Sequence, residues 1–234
     1  VVAVVGAGGG VGASTSAALL ARRWSAAGPT ALVDLDHSGG GVDVLLGLEA
    51  TPGLRWPDLA AVRGALDAED LEDVLPTWAG VEVLSCGRVG GPPTDAATQA
   101  VLDALVQRCS AVVLDVPAAA VLGAAAGGDA QQWDDVVLLA GQDVRGVAAG
   151  LVLREAVAGS GHLVLRRRPT RQVAPLEAAQ VLDLPLLGLL PSDRRLPGAV
   201  ERGFGPVAGR RLRRSVEAVA DDLRAAAGPG GRCR

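Results

Sequence analysis

One stretch of the sequence carries its chemistry in consecutive residues: Val4-Val5-Gly6-Ala7-Gly8-Gly9-Gly10-Val11-Gly12-Ala13-Ser14-Thr15. An apolar run enters a glycine-rich loop, which leads into an Ala-rich stretch of helical character. Glycines allow positive φ and let the backbone approach a ligand closely. Backbone N–H groups and the following helix N-terminus then form a cradle for an anion, above all a phosphate. Ser14 stands where a hydroxyl can ligate Mg²⁺, and Thr15 where one can reach another phosphate.

Two ligands fit such a loop. A dinucleotide site needs G-x-G-x-x-G and an acid at the end of the next strand. Gly6 and Gly8 match it, Val11 does not, and Asp34 or Asp36 would hold a ribose hydroxyl. A nucleoside-triphosphate site needs G-x-x-x-x-G-K-[ST]. Gly12 and Ser14 match that pattern, with Ala13 in place of the Lys. Two further carboxylate positions weigh toward the second. The next apolar run ends Val33-Asp34-Leu35-Asp36-His37, followed by Ser38 and three glycines. A later one, Val112-Val113-Leu114-Asp115-Val116, closes on an acid placed to hold water on Mg²⁺.

These residues must be positioned by alternating strands and helices. Strands are expected at Val1–Val5, Thr30–Leu35, Val81–Ser85, Ala111–Val116, Asp135–Ala140, His162–Arg166 and Leu186–Leu189. Most are continuously apolar, as parallel strands covered on both faces are. Helices are expected at Ala13–Ala27, Thr94–Arg108, Asp143–Ala158, Pro175–Leu182 and Gly209–Ala226, with two short ones in Thr51–Trp78, near Pro57 and Asp67–Asp70. Gly123–Gly128 belongs to a helix or loop of the same domain. The alternation gives an α/β, doubly wound, mostly parallel sheet with helices on both faces. Trp56 and Trp78 are expected as core anchors. Leu212, Val216, Val219 and Leu223 form a helical stripe that packs on the sheet.

The glycine loop, Asp34-Leu35-Asp36, Asp43-Val44-Leu45-Leu46-Gly47-Leu48-Glu49, the acid Asp115 and Leu190-Pro191-Ser192-Asp193 together resemble the MinD/ParA superfamily of deviant-Walker-A P-loop ATPases. The Asp43–Glu49 run, Pro52–Leu59 and Gly12-Ala13-Ser14 resemble the septum site-determining (Ssd), CpaE and TadZ-like branch. The resemblance implies ATP or ADP with Mg as ligands. Gly8, Gly9, Gly10, Val11, Gly12, Ala13, Ser14 and Thr15 would bind the phosphates, and Arg166, Pro191 and Asp193 would lie on the adenine side. Ser14, Asp34, Asp36 and Asp115 would surround Mg, with Asp36 also orienting water. Three positions depart from the family. Gly8 replaces the signature Lys, Ala13 the P-loop Lys, and Arg166 an adenine-binding Asn, so hydrolysis is expected to be slow or absent.

The implied role is that of a spatial regulator of septum placement or of polar pilus and secretion assembly, with division or secretion-machinery proteins as partners and a homodimer as an assembly. An active ATP-dependent dimerising switch and a dinucleotide-binding oxidoreductase are the alternatives. The resemblance also implies a cytoplasmic protein recruited to pole or septum, one P-loop domain over 1–226, a short tail over 227–234 and a receiver-like domain preceding the chain.

Composition sets outer bounds. At 234 residues, 49% hydrophobic and 21% charged, the chain buries a core without disulfides or metals. No uncharged apolar stretch of transmembrane length is present, no signal peptide is visible, and residues 228–234 are not expected to form a basic amphipathic membrane tail. Cys86, Cys109 and Cys233 lack metal-ligand spacing and read as reduced thiols. His37 reads as a switch-loop residue near phosphate or water, and His162 as structural. There is no Lys and no Met. Residues 1–150 carry 7 Arg against 18 acids, and residues 151–234 carry 15 Arg against 8. The Arg clusters at 166–168 with Arg171, at 194–195 and at 210–214 are expected to be exposed. Solvated faces or a protein partner rank ahead of DNA for them, because net charge is −4 and no aromatics are interleaved.

Overall fold

A computed structural model describes residues 1–88, 92–127, 133–168 and 172–226. Arg171, Cys233 and the tail at 227–234 lie outside the described residues. In chain order the elements are β1 (Val2–Gly6), α1 (Ala13–Ser25), β2 (Thr30–Asp34), α2 (Val42–Leu46), α3 (Trp56–Leu59), a 3₁₀ turn (Ala68–Leu71), β3 (Thr77–Trp78), β4 (Val81–Leu84), α4 (Asp95–Arg108), β5 (Ala111–Val116), α5 (Ala118–Gly127), β6 (Asp135–Gly141), α6 (Val144–Leu153), a second 3₁₀ turn (Glu155–Val157), β7 (Gly161–Arg166), α7 (Pro175–Leu182), β8 (Leu186–Leu190), α8 (Arg195–Val200) and α9 (Arg210–Ala226). The strands form one sheet in the order β3-β4-β2-β5-β1-β6-β7-β8, parallel except for the β3–β4 pair. This is the expected doubly wound α/β architecture.

Each strand divides its side chains between two cores, because successive residues point to opposite faces. Leu163 and Leu165 of β7 join Leu105 of α4, Val121 of α5, Val147 of α6 and Leu182 of α7 on one face. Val164 joins Leu20 and Trp24 of α1, Leu196 of α8 and the α9 stripe on the other. That stripe, Leu212, Val216, Val219 and Leu223, is at most 4% exposed, as its spacing requires. Trp56 and Trp78 are both core anchors. Trp56 also donates from Nε1 to the Asp34 carbonyl at 2.6 Å.

The helix ends follow local chemistry. Thr94 caps α4 by accepting from the Ala97 N–H, and Asp143 caps α6 by accepting from Gly146. Pro175 opens α7, where its missing N–H costs nothing.

α2 and α8 were not expected, and the stretch expected as helix or loop from Gly123 falls in α5, which already starts at Ala118. Three further elements differ from the expectation. The helix over Asp143–Ala158 stops at Leu153, and a 3₁₀ turn follows. That turn buries Val157 against Gly161, where a Cβ would lie 2.5 Å from the Val157 carbonyl oxygen. The helix near Asp67–Asp70 is a single 3₁₀ turn, closed by mutual capping of Asp67 and Asp70. β3 was not expected. It is a two-residue hairpin arm turned by Ala79 and Gly80 at φ 49° and 83°, and Ala is not the residue that signals such a turn.

Candidate functional site

β1 delivers the glycine loop to the carboxyl edge of the sheet, and α1 leads away from it. Gly6 is tightly placed, since a Cβ there would sit 2.9 Å from the Val11 side chain and force it to shift. Val11 is buried and pins the loop's far end to the α1-side core. Gly10 and Gly12 have φ of 68° and 96°, so both turn the chain in the left-handed region. Ser16 holds the loop's exit by donating from its hydroxyl to the Gly12 carbonyl at 2.8 Å. Between these anchors the loop is open. A Cβ at Gly8, Gly9, Gly10 or Gly12 would meet no atom within 4 Å. The result is a concave run of backbone at a helix N-terminus, with room for an anion.

Asp115 lies in β5 beside this loop, because β5 pairs directly with β1 and brings Val4 opposite Asp115. The Ser14 hydroxyl lies close enough to the Asp115 carboxylate to favour its charged form, so the start of α1 stands beside the end of β5. Asp34 faces Asp115 across the β2–β5 pair. Asp36 completes a set of three carboxylates on one edge, as expected.

Burial pushes the Asp115 carboxyl up to about 6; the nearby Ser14 hydroxyl opposes this, and repulsion from Asp34 and Asp36 adds to it. A folded-state value above the unfolded one stabilises the fold below about pH 4, and this contribution is lost as pH rises through about 6. An Asp115→Asn variant should therefore match the parent near pH 4 and exceed its stability by up to about 3 kcal/mol at pH 8. Urea denaturation at the two pH values checks it; an equal difference at both would contradict the burial argument.

Asp34 is differently employed. Its Oδ2 accepts from the Val42 N–H at 2.9 Å, and its Oδ1 from the Asp36 N–H at 3.0 Å. Ser85 Oγ and the Cys86 N–H approach the same Oδ2 at 3.4 Å. The carboxylate ties the loop between β2 and α2 to the end of β4. Burial nevertheless raises its pKa. Asp36 accepts from the Ser38 N–H and hydroxyl at 3.1 and 2.6 Å, which shapes the outer part of the same loop. His37 reaches Cys86, with Nδ1 to Sγ 3.1 Å, and lies edge-on to Trp56. Its imidazole thus closes on a thiol at the end of β4.

A second group sits on the same sheet edge at β7 and β8. Arg166 ends β7 opposite Leu190, and Pro191 and Asp193 follow directly. Asp193 accepts from the Arg195 and Gly209 N–H groups at 3.0 and 2.6 Å. Arg166 corrects one expectation. It is half-buried, so the guanidinium is held below its usual range by burial and by Arg168, with Asp193 opposing. Arg167, Arg210, Arg211, Arg213 and Arg214 are exposed as expected.

Asp43 and Arg55 support the site, though neither was expected to have an individual role. Asp43 is buried between Arg55 at 3.5 Å and Arg88 at 3.3 Å, and Ser85 Oγ accepts from its N–H. Arg55 also donates to the carbonyls of Leu48, Thr51, Gly53 and Leu54. His162 pairs with Asp135 at 2.8 Å at the opposite end of the sheet, the structural role expected of it. Cys86 and Cys109 are free and buried, and burial raises both thiols, Cys109 to about 11. Among the described residues, no group of three or more His, Cys, Asp or Glu is arranged to hold a metal alone, and no helix is long and apolar enough to cross a membrane.

The strand order separates the two ligand readings of the glycine loop. A dinucleotide fold of order 3-2-1-4-5-6 sets the second strand beside the first, so that its terminal acid meets the ribose. Here β5 lies between β1 and β2. The acid next to the loop is therefore Asp115, and Asp34 is one strand further away.

No family model matches the chain. It is 39% identical over 217 residues, 92% of its length, to an uncharacterized protein found in two strains of Mycobacterium tuberculosis, and it spans 59% of that relative's length. Among solved structures it superposes on a ParA family ATPase from Chlorobium tepidum TLS with a TM-score of 0.73 and 15% identity, covering 94% of this chain and 96% of that one. It also superposes on the septum site-determining protein MinD complexed with Mg-ADP from Pyrococcus horikoshii OT3, with a TM-score of 0.72 and 20% identity over 97% and 96% of the two chains. The fold of this chain is that of the ParA and MinD ATPases.

Proposed function

We propose that the chain is one nucleotide-binding domain, residues 1–226, of MinD/ParA type with a degenerate phosphate loop, and that it serves as a spatial regulator of septum placement or polar pilus and secretion assembly. One observation carries the nucleotide reading: an open glycine cradle at the head of α1 that lies directly beside the Asp115 carboxylate of the neighbouring strand. The backbone N–H groups of 8–15 would hold phosphate oxygens. Mg²⁺ would supply the positive charge that the loop lacks, held by Ser14, by phosphate oxygens and, through water, by Asp115, with Asp36 at the outer edge. The fit is to a phosphate-bound metal, since the carboxylates by themselves form no metal site.

Asp34 fits better as the fastener of the β2–α2 loop. A phosphate group that displaces Asp36 or Ser38 would pull on the backbone that Asp34 holds, and this is a means of passing nucleotide state to α2. The Ssd, CpaE and TadZ-like likeness, and the structural similarity to the septum site-determining protein MinD of Pyrococcus horikoshii OT3, support division or secretion-machinery proteins as partners. A homodimer is the assembly and the cytoplasm the location, with recruitment to pole or septum by those partners. DNA remains the less favoured use of the exposed arginines.

Titration of the protein with nucleoside di- and triphosphates tests the site. A thermal shift that requires Mg²⁺ and disappears in Asp115→Ala is expected. No shift with any nucleotide would refute it.

A further inference from the structure

On one face of the sheet α1 and α9 lie side by side and leave a groove between them. Its volume is about 520 Å³; Leu19, Val207 and Val216 give it an apolar floor, and Arg22, Arg23 and Arg213 stand on its rim. Two of these cations are already paired, Arg23 with Asp221 at 2.9 Å and Arg213 with Glu217 at 3.6 Å. Arg22 instead lies over the Trp78 ring at 5.5 Å and makes no ion pair among the described residues. Arg210 and Arg214 precede Glu217 by seven and three residues, which puts them on the same side of α9. Both are exposed and make no ion pair among the described residues. The groove therefore presents uncompensated positive charge beside apolar surface.

The other face holds the complement. The 3₁₀ turn at Ala68–Leu71 packs on α4 through Leu71, which belongs to the core opposite that of Leu19 and Val216. Around it stand Asp67, Glu69, Asp70, Glu72 and Asp73, all exposed and none in an ion pair among the described residues. Arg108 of the neighbouring α4 does not relieve them, since Glu82 takes it. Like charges this dense repel one another, and cations brought from outside offset that repulsion. Ala65 and Ala68 lie among the acids, exposed and half-buried, and give the segment small apolar surface of its own.

We propose that copies of this protein associate head to tail, the acidic turn at 67–73 of one seating on the arginine-rimmed groove between α1 and α9 of the next. Within one copy the two surfaces cannot meet, because the sheet lies between them. Each copy offers one surface of each sign, so the contact is heterologous and leaves a free surface at either end of a stack. That distinguishes it from a homodimer closed about a two-fold axis. Duplex DNA and an anionic bilayer suit the groove less well, since Glu217 and Asp221 stand on its α9 wall and would face their phosphates. A short acidic turn sets its carboxylates against the arginines and its alanines against the apolar floor. Such a contact is small and polar, and belongs to the weak, reversible class.

Sedimentation velocity of the protein in EDTA, without nucleotide, tests this. The average mass should exceed the monomer's and rise with protein concentration at roughly 0.02 M salt. It should fall to the monomer's near 0.5 M, as the screening length drops from about 20 Å to about 4 Å. Glu69→Arg with Glu72→Arg should be monomeric at low salt, and so should Arg210→Glu with Arg214→Glu. Mixing the two variants should restore association, because each keeps the surface the other has lost. General attraction does not explain such a rescue, since two reversals move the formal net charge of −4 only to 0 in the first variant and to −8 in the second. The salt series uses the unaltered protein, so the test survives a variant that misfolds. A monomer at every concentration and salt, an assembly indifferent to salt, or a mixture of folded variants that stays monomeric would overturn the proposal. So would a short DNA duplex that binds the unaltered, monomeric protein and not Arg210→Glu with Arg214→Glu, which would give the groove to nucleic acid. Because no nucleotide is present, each of these outcomes leaves the nucleotide site standing.

Discussion

The purified protein should release phosphate from Mg-ATP or Mg-GTP at close to the blank rate. Phosphoryl transfer is catalysed by positioning and by cations around the γ-phosphate, and one well-placed Arg is worth roughly 10³–10⁵ in rate. The loop here supplies backbone N–H groups and Ser14. The two positions where the resemblance expects cations hold Gly8 and Ala13. No Lys exists elsewhere in the chain, so a second identical subunit brings none either. Arg88 reaches toward the β2–α2 loop, but it is paired with Asp43. Arg166 and Arg168 lie two strands away from the loop. A phosphate-release assay beside Asp115→Ala decides the matter. Steady turnover at an ordinary enzyme rate of about 10 s⁻¹, abolished by that substitution, would favour the active-switch alternative.

The restoring experiment has a definite sign. A Cβ at residue 8 meets open space, and residue 8 is not among the glycines with positive φ, so Gly8→Lys introduces neither clash nor strain. Residue 13 opens α1, where a Lys side chain can turn back over the loop. A hydrogen bond to a charged group contributes about 1.5–3 kcal/mol. Ala13→Lys with Gly8→Lys should therefore tighten nucleoside diphosphate binding by ten- to a hundredfold or more.

How much of this was legible depended on the range of the interaction. β1, the glycine loop and α1 form one continuous segment in which apolar run, glycines and Ala-rich helix each signal locally, and the loop stands where the sequence put it. β5 and its terminal Asp115 were legible for the same reason. The place of β5 between β1 and β2 was not, because strand order is settled by crossovers that no local pattern records, and this order is what sets Asp115 rather than Asp34 beside the loop. The binding of Asp34 to the N–H groups of Val42 and Asp36 and to Ser85 and Cys86 was equally hidden. The last two partners arrive from β4, some fifty residues on. The burial of Arg166 was missed because three consecutive arginines suggest a solvated turn, whereas strand alternation turns the first of them inward.

Gly47→Ala should be the most damaging single substitution near the β2–α2 loop. Gly47 caps α2 with φ 72°, a conformation in which an L-residue costs on the order of 1 kcal/mol. Its surroundings add far more. A Cβ there would lie 2.1 Å from the Gly203 carbonyl oxygen and 2.6 Å from its carbon. The obstacle is backbone, in a turn held by the Gly203 N–H on the Val200 carbonyl at 2.8 Å, so it cannot swing aside as a side chain would. Gly203 provides the control, because it has the same φ of 72° but nothing within 4 Å of its would-be Cβ. Gly203→Ala should cost about 1 kcal/mol and Gly47→Ala at least about 4 kcal/mol, a large share of the stability of an ordinary domain. Urea titrations of the two variants measure the difference directly, and equal midpoints would mean that α2 does not cross the α8–α9 turn this closely. Because α2 begins at Val42, whose N–H is held by Asp34, the loss should reach the candidate site as well. A Gly47→Ala protein that still folds should bind nucleotide more weakly than its Gly203→Ala counterpart.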